Sequence, residues 1–365
     1  MLEGGLAAIS IDFGEGRVYA VEAPRIGNME RVQMMIDTFS HIIPTRYKQA
    51  LYNKLPLHSV HRRLTDSYPT LVDLDTRFKI LESYSGLVQV LTLATPFMQD
   101  IVGPGDAVDL AQRANDEMAE LVQKYPDRFV SAVAALPLND MDATLKEVDR
   151  AITTLSFSGV QISSDVNGKP LDSQEFIPLY EKMAAYDLPI WIHPVREAKI
   201  PDYPNEKASK YGMFLIFGWP YQTTLAMGRL VFSGIFEKYP GLKIVTHHAG
   251  AMVPFLASKI EGGYDSLETV MPMGYEGYLK KRPVDYFRMF YNDTALSGNT
   301  EGLMCAHAFF GPEHLLFGTD MPFDNDRGYR LVRGTIRSIR EMNIPESDKK
   351  KIFEDNARRI LRLRV

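Results

Sequence analysis

From Met34 to the C-terminus, short apolar runs alternate with longer segments in which apolar and polar residues follow a helical period. The apolar runs are rich in Val, Ile and Leu at successive positions, which is typical of parallel strands that are buried on both faces. The segments between them place apolar residues three and four positions apart, which predicts amphipathic helices. We expect strands at eight stretches: MMIDTFS, LVQVLTLA, FVSAVAALP, GVQISS, PIWIHP, KIVTHHAG, MFYNDTA and HLLFGTD.

Eight strands, each separated from the next by helix, predict an α/β fold of the (β/α)8 TIM barrel type with inserted helices, over residues 34–365. A doubly wound open sheet also alternates strands with helices, but no strand here is followed by the glycine-rich phosphate loop typical of that fold. Residues 1–33 precede the first strand and contain the hairpin-like stretch ISIDFGEGRVYAVEA. We therefore treat them as a short N-terminal extension, separate from a single catalytic domain.

Composition narrows the classes of partner. A net charge of -5 and a pI near 6.0 leave no excess of Lys and Arg for contacts with phosphates, which argues against nucleic acid. The single cysteine, Cys305, excludes an intrachain disulfide and an all-cysteine zinc site. No apolar run reaches the roughly 20 residues that span a bilayer, and the N-terminal segment lacks the residue order of a secretion signal. These features predict a cytoplasmic protein without a membrane or nucleic-acid partner.

Polar residues follow the predicted strands at the points where the strands end. In a TIM barrel the carboxyl ends of the strands converge on one open mouth, so these side chains should lie close together. Imidazoles and a carboxylate are the ligand set that holds Zn²⁺ or Mn²⁺ while leaving a position open for water or substrate. The residues at the strand ends are His41, Ser163, Ser164, Asp165, His193, His247, His248, Asn292, Asp293 and Asp320. One such histidine alone is usually structural, but several around one mouth favour a divalent metal site, zinc first and manganese second.

Three stretches of the chain carry a resemblance to a known family. They are GVQISSDVNGKPLDSQEFIPLYEKMAAYDLPIWIHP, GWPYQTTLAMGRLVFSGIFEKYPGLKIVTHHAG and HLLFGTDMPFD. The chain resembles the amidohydrolase superfamily, and within it the group of aminocarboxymuconate semialdehyde decarboxylase and gamma-resorcylate decarboxylase. The resemblance runs from about Met34 to the C-terminus, and it implies an amidohydrolase-like barrel.

The resemblance also implies roles for individual residues. His41 stands at the second histidine of the first-strand motif, and His193 at the ligand of the fifth strand. Asp320 stands at the carboxylate of the eighth strand, which in this family contacts the metal and transfers protons. Alignment through Pro254 in THHAGAMVP makes His248 the catalytic histidine, with His247 as a structural neighbour. The implied metal ligands are thus His41, His193 and Asp320.

Phe39 departs from the family pattern, because members usually carry histidine or glutamate at its position. A phenylalanine has no lone pair for a metal, so three protein ligands would remain, which is still enough for a catalytic centre. We expect a weaker metal site, and a metal-free enzyme becomes an alternative. Asp37 shares the facing of Phe39 and should lie deeper in the barrel as a structural residue, unless the strand bulges.

The resemblance implies decarboxylation of a small aromatic or unsaturated carboxylic acid. That reaction needs a proton delivered to the carbon that bears the carboxylate, and an electrostatic hold on the carboxylate. A divalent ion would provide the hold, and Asp320 or His248 would carry the proton. An arginine fork matches a carboxylate, and aromatic rings in the stretch YGMFLIFGWPY would wall a flat substrate. The candidate substrate-binding residues are Arg62, Arg63, Arg196, Trp219 and Tyr221.

Two other classes of function use the same residues. A metal-dependent hydrolase or hydratase would act on a lactone, an amide or an unsaturated acid, with His248 as the base that activates water. A barrel that lost its metal together with the ligand at Phe39 would be a non-catalytic binding protein. The family resemblance also implies a homodimer.

Metal content tests the predicted ligand set. We expect about one equivalent of zinc or manganese in protein purified without chelator, and its loss from a His193→Ala, Asp320→Ala double variant that lacks two of three donors. Elemental mass spectrometry measures both. If the wild-type protein takes up no metal even after supplementation, Phe39 has abolished the site.

Overall fold

The structure is a computed structural model, and it describes residues 33–270 and 279–363. Of the predicted N-terminal extension, residues 1–32 lie outside the described residues. The strands are β1 (Met35–Ile42), β2 (Leu87–Leu93), β3 (Phe129–Ala132), β4 (Ala134–Ala135), β5 (Val160–Ser163), β6 (Asp165–Val166), β7 (Lys169–Pro170), β8 (Ile190–His193), β9 (Ile244–Thr246) and β10 (Tyr291–Asn292).

Helices separate these strands in the chain. They are α1 (Thr45–Lys54), α2 (Val60–Ser67), α3 (Leu74–Glu82), α4 (Pro104–Lys124), α5 (Met141–Thr153), α6 (Ile177–Tyr186), α7 (Trp219–Phe232), α8 (Ile235–Lys238), α9 (Val253–Val270), α10 (Pro283–Phe287), α11 (Thr300–Phe310), α12 (Tyr329–Glu341), α13 (Glu346–Lys350) and α14 (Asn356–Leu361). Short polar side chains begin several of them. Asp73 accepts hydrogen bonds from the first turn of α3, and Asp140 and Asn299 cap α5 and α11 in the same way.

The strands close into a ring. β1, β2 and β3 pair in parallel, and β4, β5, β8, β9 and β10 form a second parallel set. Only Val133 separates β3 from β4, so these two strands are one barrel strand shared by both sets. Residues 315–321 fill the remaining gap: the Leu316 N–H donates to Asn292 O at 2.8 Å, and the Thr38 N–H donates to Phe317 O at 2.8 Å. The predicted (β/α)8 barrel is confirmed: seven of the eight predicted stretches contain regular strands, and the eighth closes the ring through isolated bridges at Leu315 and Met321, so we call residues 315–321 the eighth strand.

Alternate side chains of the strands form two apolar layers. One layer packs outward against the helices and contains Ile42, Leu91, Phe129, Ile162, Ile192, Ile244 and Phe317. The other layer fills the barrel interior, where α14 packs against it, and contains Ile36, Phe39, Val88, Val90, Val133, Trp191, Val245 and Leu316. This division follows from the two-residue period of a strand. Phe39 therefore faces the interior of the barrel.

β1 contains a β-bulge, which the sequence analysis named as the exception to the expected position of Asp37. Its pairing with β2 shifts between Asp37 and Ser40, so the bulged strand carries an additional residue there. The carboxylate of Asp37 is fully buried, and it accepts hydrogen bonds from the Thr319 N–H (3.0 Å) and the Thr319 hydroxyl (2.6 Å). Burial raises the pKa of Asp37 to about 6. Asp37 thus ties the first strand to the eighth.

A buried arginine supports the same strand from α3. The Arg77 guanidinium donates to Gln89 Oε1 at 2.8 Å and to the backbone carbonyl of His41. Gln89 in turn donates to Asp37 at 3.3 Å. The backbone that carries His41 is therefore held by a chain of buried hydrogen bonds.

None of the helices in the described part of the chain combines the length and apolar character needed to cross a lipid bilayer.

Removing the Asp37 carboxylate should destabilise the barrel. In Asp37→Ala the two donors of Thr319 lose their buried acceptor, so we expect the free energy of unfolding to fall by about 3 kcal/mol. The matched control is Glu82→Ala, which removes an ion pair with Arg128 in which Glu82 is 57% exposed, and should cost at most about 1 kcal/mol. Urea denaturation of both variants measures the difference, and equal losses would contradict a structural role for Asp37.

Candidate active site

Four titratable side chains from four strands meet at one end of the barrel. His41 comes from β1, His193 from β8, His247 from the residue after β9, and Asp320 from the eighth strand. Asp320 Oδ1 lies 3.2 Å from His41 Nε2 and 3.4 Å from His247 Nε2. The ring centroids of His41 and His193 are 5.2 Å apart. The three imidazoles and the carboxylate form the cluster that we call the mouth cluster.

Each imidazole of the mouth cluster has an outer hydrogen-bond partner on Nδ1. His41 Nδ1 lies 3.3 Å from the Thr92 hydroxyl, and His193 Nδ1–H donates to Pro194 O at 2.7 Å. His247 Nδ1–H donates to the carboxylate of Asp293. A hydrogen bond on Nδ1 orients each ring and turns its Nε2 toward the centre of the cluster. The Nε2 atoms are therefore the ring atoms that face inward and could bind a metal.

Burial and mutual contact set the protonation of the cluster. Burial lowers the pKa of His41, and burial together with the neighbouring His41 and His247 lowers the pKa of His193 further. Burial alone would raise the pKa of Asp320, but His247 and His41 hold it well below its usual range. Burial also opposes charge on His247, yet Asp293 and Asp320 raise its pKa to about 10. Neutral His41 and His193 beside an ionised Asp320 are in the protonation states that metal ligands need.

His248 lies on a sharply turned loop after β9. His248, Ala249, Gly250 and Ala251 all have left-handed backbones, with φ between 53° and 76°. A Cβ at Gly250 would lie 2.5 Å from the Phe310 ring, so glycine is required there by space as well as by φ. The turn places the ring of His248 3.9 Å from the ring of His247.

His248 is half-buried and has few hydrogen-bond partners. Its Nδ1 is buried and has no hydrogen-bond partner among the described residues. Burial and the adjacent His247 lower its pKa to about 4. Asp320 also has a left-handed backbone, with φ of 62°. Strained backbone at two neighbouring reactive groups is typical of active sites.

Aromatic rings surround the mouth cluster. Phe97 lies 5.7 Å and Trp219 5.4 Å from the ring of His193, and Phe323 lies 5.2 Å from the ring of His41. Of these three rings, only Trp219 was predicted from the sequence. Phe97 and Phe323 lie on the loops after β2 and after the eighth strand, so the strand-end rule could have found them.

Three predicted substrate contacts are engaged elsewhere. The Arg62 guanidinium donates to the backbone carbonyls of Tyr52 and Leu55 at the end of α1. Arg63 is exposed and donates to His58 O at 2.7 Å. Tyr221 is 49% exposed and lines an apolar groove between α7 and α9. Among the described residues, no hydrogen bond, ion pair or ring contact joins these side chains to the mouth cluster.

Arg196 lies near the strand ends, and none of its described hydrogen bonds joins it to the mouth cluster. It lines a cavity of about 570 Å³ together with Asp100, Ser164, Asp165 and Glu197. Its guanidinium donates to Pro201 O at 3.1 Å, and its carbonyl accepts from the indole of Trp219 at 3.4 Å. Its Cδ packs so closely on Gly218 that a Cβ there would lie 2.5 Å away. Arg196 thus positions the segment that presents Trp219.

The donor set fits a divalent metal ion. Two groups of described residues have ligand atoms within 4.8 Å of one another: His41, His193 and His247, and His247, His248 and Asp320. His41 Nε2 is fully buried and makes no well-directed hydrogen bond among the described residues, although Asp320 Oδ1 is 3.2 Å away. A buried lone pair without a donor is what a metal ion would satisfy.

Comparisons with known proteins identify the family of this chain. The profile of the family described as Amidohydrolase matches residues 54–363. Gamma-resorcylate decarboxylase of Rhizobium sp. (strain MTP-10005) is 32% identical over 307 residues, covering 80% of this chain and 88% of that protein. The 2-amino-3-carboxymuconate-6-semialdehyde decarboxylase of Dictyostelium discoideum is 30% identical over 296 residues, covering 80% of this chain and 77% of that protein.

A solved structure gives the same result. The dihydroxybenzoic acid decarboxylase from Polaromonas sp. JS666, with bound manganese and the inhibitor 2-nitroresorcinol, superposes with a TM-score of 0.75 at 27% identity. The match covers 90% of this chain and 97% of that chain. The resemblance predicted from the strand-end motifs is confirmed: the chain belongs to the amidohydrolase family.

Proposed function

We propose that this protein is a metal-dependent decarboxylase of a small aromatic carboxylic acid. The observation that carries the proposal is the mouth cluster with its ring of aromatic side chains, Phe97, Trp219 and Phe323. The cluster offers ligands for an ion, and the rings suit a flat substrate. The predicted reaction class is confirmed by the relatives, which are decarboxylases of the same family.

The reaction sets three tasks for the site. A proton must reach the carbon that bears the carboxylate, the bond to that carboxylate must break to release CO2, and its electron pair must return to the ring. A bound divalent ion would stabilise negative charge on the carboxylate and on a neighbouring hydroxyl oxygen. His41, His193 and Asp320 are the residues that we assign to hold it. The aromatic rings exclude water and orient the plane of the substrate.

Two side chains are placed to carry the proton. Asp320 lies at the centre of the mouth cluster, in contact with both His41 and His247. His248 lies against His247, and its buried Nδ1 has no hydrogen-bond partner in the described part of the chain. Because Asp320 is ionised and His248 is neutral near pH 7, either group must first take up a proton from the substrate or from water before it delivers that proton to the ring carbon, and their single variants separate the two roles.

Zinc is the ion that we propose, with manganese as the alternative. Imidazole nitrogens with one carboxylate are a common zinc ligand set. Manganese is bound in the similar Polaromonas enzyme. The cytoplasmic location and the homodimer stay predictions from the sequence.

Release of CO2 is the direct test of the activity. We expect the wild-type protein to convert 2,6-dihydroxybenzoate or another hydroxybenzoate, or a muconate-like acid, with loss of activity after chelation. Asp320→Asn should lower kcat by about 10²-fold or more, because it removes both a ligand and a proton carrier. The control is Glu82→Gln, on the exposed end of α3. Hydrolysis of a lactone or amide without release of CO2 would contradict the proposal and support the hydrolase alternative.

Trp219 and Tyr221 provide a second test because they lie two positions apart but face different surroundings. Trp219→Ala removes a wall of the mouth, so KM should rise by about tenfold or more, equivalent to the loss of a buried aromatic contact. Tyr221→Ala should leave KM unchanged, since its ring lies in the groove between α7 and α9. Steady-state kinetics measures both. A larger effect for Tyr221 would show that the substrate enters along the groove.

A further inference from the structure

The strongest unassigned feature of the site is His247, which the sequence indicated to be a structural neighbour. We propose that His247 replaces the ligand that Phe39 cannot supply, so that the ion is held by His41, His193, His247 and Asp320. Phe39 then acts as a positioning residue that supports the ring of His247. This inference rests on the proposed metal-dependent function and names the ligand set of that same site.

The orientation of His247 is that of a metal ligand. Its Nδ1–H donates to Asp293 Oδ2, and the other oxygen of Asp293 accepts from the backbone N–H groups of Ala249 (3.1 Å) and Ala295 (3.0 Å). The carboxylate is therefore fixed before any ion binds, and it fixes the ring. Histidines that ligate metals commonly have a carboxylate or carbonyl on their other nitrogen.

The distances within the cluster allow one shared ion. A nitrogen 2.0–2.1 Å from zinc puts its ring centroid about 3.2 Å from the ion, so two such rings lie at most about 6.4 Å apart. The centroid of His193 is 5.2 Å from that of His41 and 5.4 Å from that of His247. The centroids of His41 and His247 are 6.2 Å apart, close to that limit. All three pairs are within the limit.

The rings of Phe39 and His247 pack directly against each other. Their rings are stacked, with centroids 4.0 Å apart and an angle of 15° between the planes, and both residues are buried. The ring of Phe39 lies 5.2 Å from His41 and 6.0 Å from His193. An imidazole at position 39 would thus be within reach of the same ion. The position that lacks a metal donor, Phe39, therefore lies next to the additional donor, His247. The imidazole of His247 can thus take the place of the missing ligand.

A different role for His247 is open to the same geometry. A protonated His247 between Asp293 and Asp320 would place a positive charge in the mouth without any metal. That arrangement gives Nε2 a proton in place of a free lone pair, so the protein would not bind an ion there. Metal binding by variants of the full-length protein separates the two roles.

The experiment titrates chelator-stripped, dialysed full-length protein with Mn²⁺ and with Zn²⁺, and measures affinity by calorimetry and bound ion by elemental mass spectrometry. We expect His247→Gln to weaken binding by about 100-fold or more, because it removes a ligand. The matched control, His314→Gln, changes a partly buried histidine that hydrogen-bonds Phe310 O outside the mouth cluster, and it should retain the affinity of the wild-type protein. Circular dichroism confirms that each variant is folded.

A rescue variant makes the test specific for ligation. Phe39→His combined with His247→Gln moves the donor to the neighbouring position, and it should recover most of the lost affinity. Wild-type affinity in His247→Gln would overturn the inference, and so would a wild-type protein that binds no ion. CO2 release is scored separately. Ion binding through His247 without release of CO2 would leave this inference standing and refute the proposed function, whereas CO2 release with unchanged ion binding in His247→Gln would do the reverse.

Discussion

The pairing of the first barrel strand with the eighth is the constraint on which the site depends. The Asp320 N–H donates to Phe39 O at 3.0 Å, and the His41 N–H donates to Met321 O at 2.9 Å. These two bonds bring together residues from opposite ends of the domain and set His41 beside Asp320. The Asp37–Thr319 contacts secure the same seam one layer deeper. Loss of these hydrogen bonds would open the barrel between its first and eighth strands and move His41 away from Asp320.

The chemistry at the mouth depends on titratable side chains that are buried but do not all become neutral. An apolar layer that includes Phe39 fills part of the barrel below the mouth, and the rings of His41 and His247 pack on Phe39. Burial favours the neutral forms of His41 and His193, and contact with His247 and His41 holds the pKa of Asp320 below its usual range. Such a cluster is costly for a folded protein to maintain unless a cation or a substrate uses it.

Much of this could be predicted from the sequence, because a strand buried on both faces produces an apolar run and a barrel brings the ends of such runs together. That rule predicted that His41, His193, His248 and Asp320 lie near one another, and the structure brings them to one end of the barrel, while their roles stay predictions. It did not resolve the role of His247, since adjacent residues on a regular strand face opposite ways. The left-handed turn at residues 248–251 cancels that alternation and brings both rings to the mouth. The arginines were unpredictable for a different reason, as a long flexible side chain such as that of Arg62 can reach backbone carbonyls that no sequence pattern reveals.

The reactive groups and the aromatic wall are built on different parts of the fold. His41, His193 and His247 stand on or next to barrel strands, whereas Trp219 begins α7 and is positioned by the loop around Arg196. The close packing of Arg196 on Gly218 joins the loop to that helix without involving a strand. The proposed substrate wall and the proposed ligand cluster are therefore mechanically separable. Exchange of the loop and helix would change the wall while the barrel strands keep the mouth cluster in place.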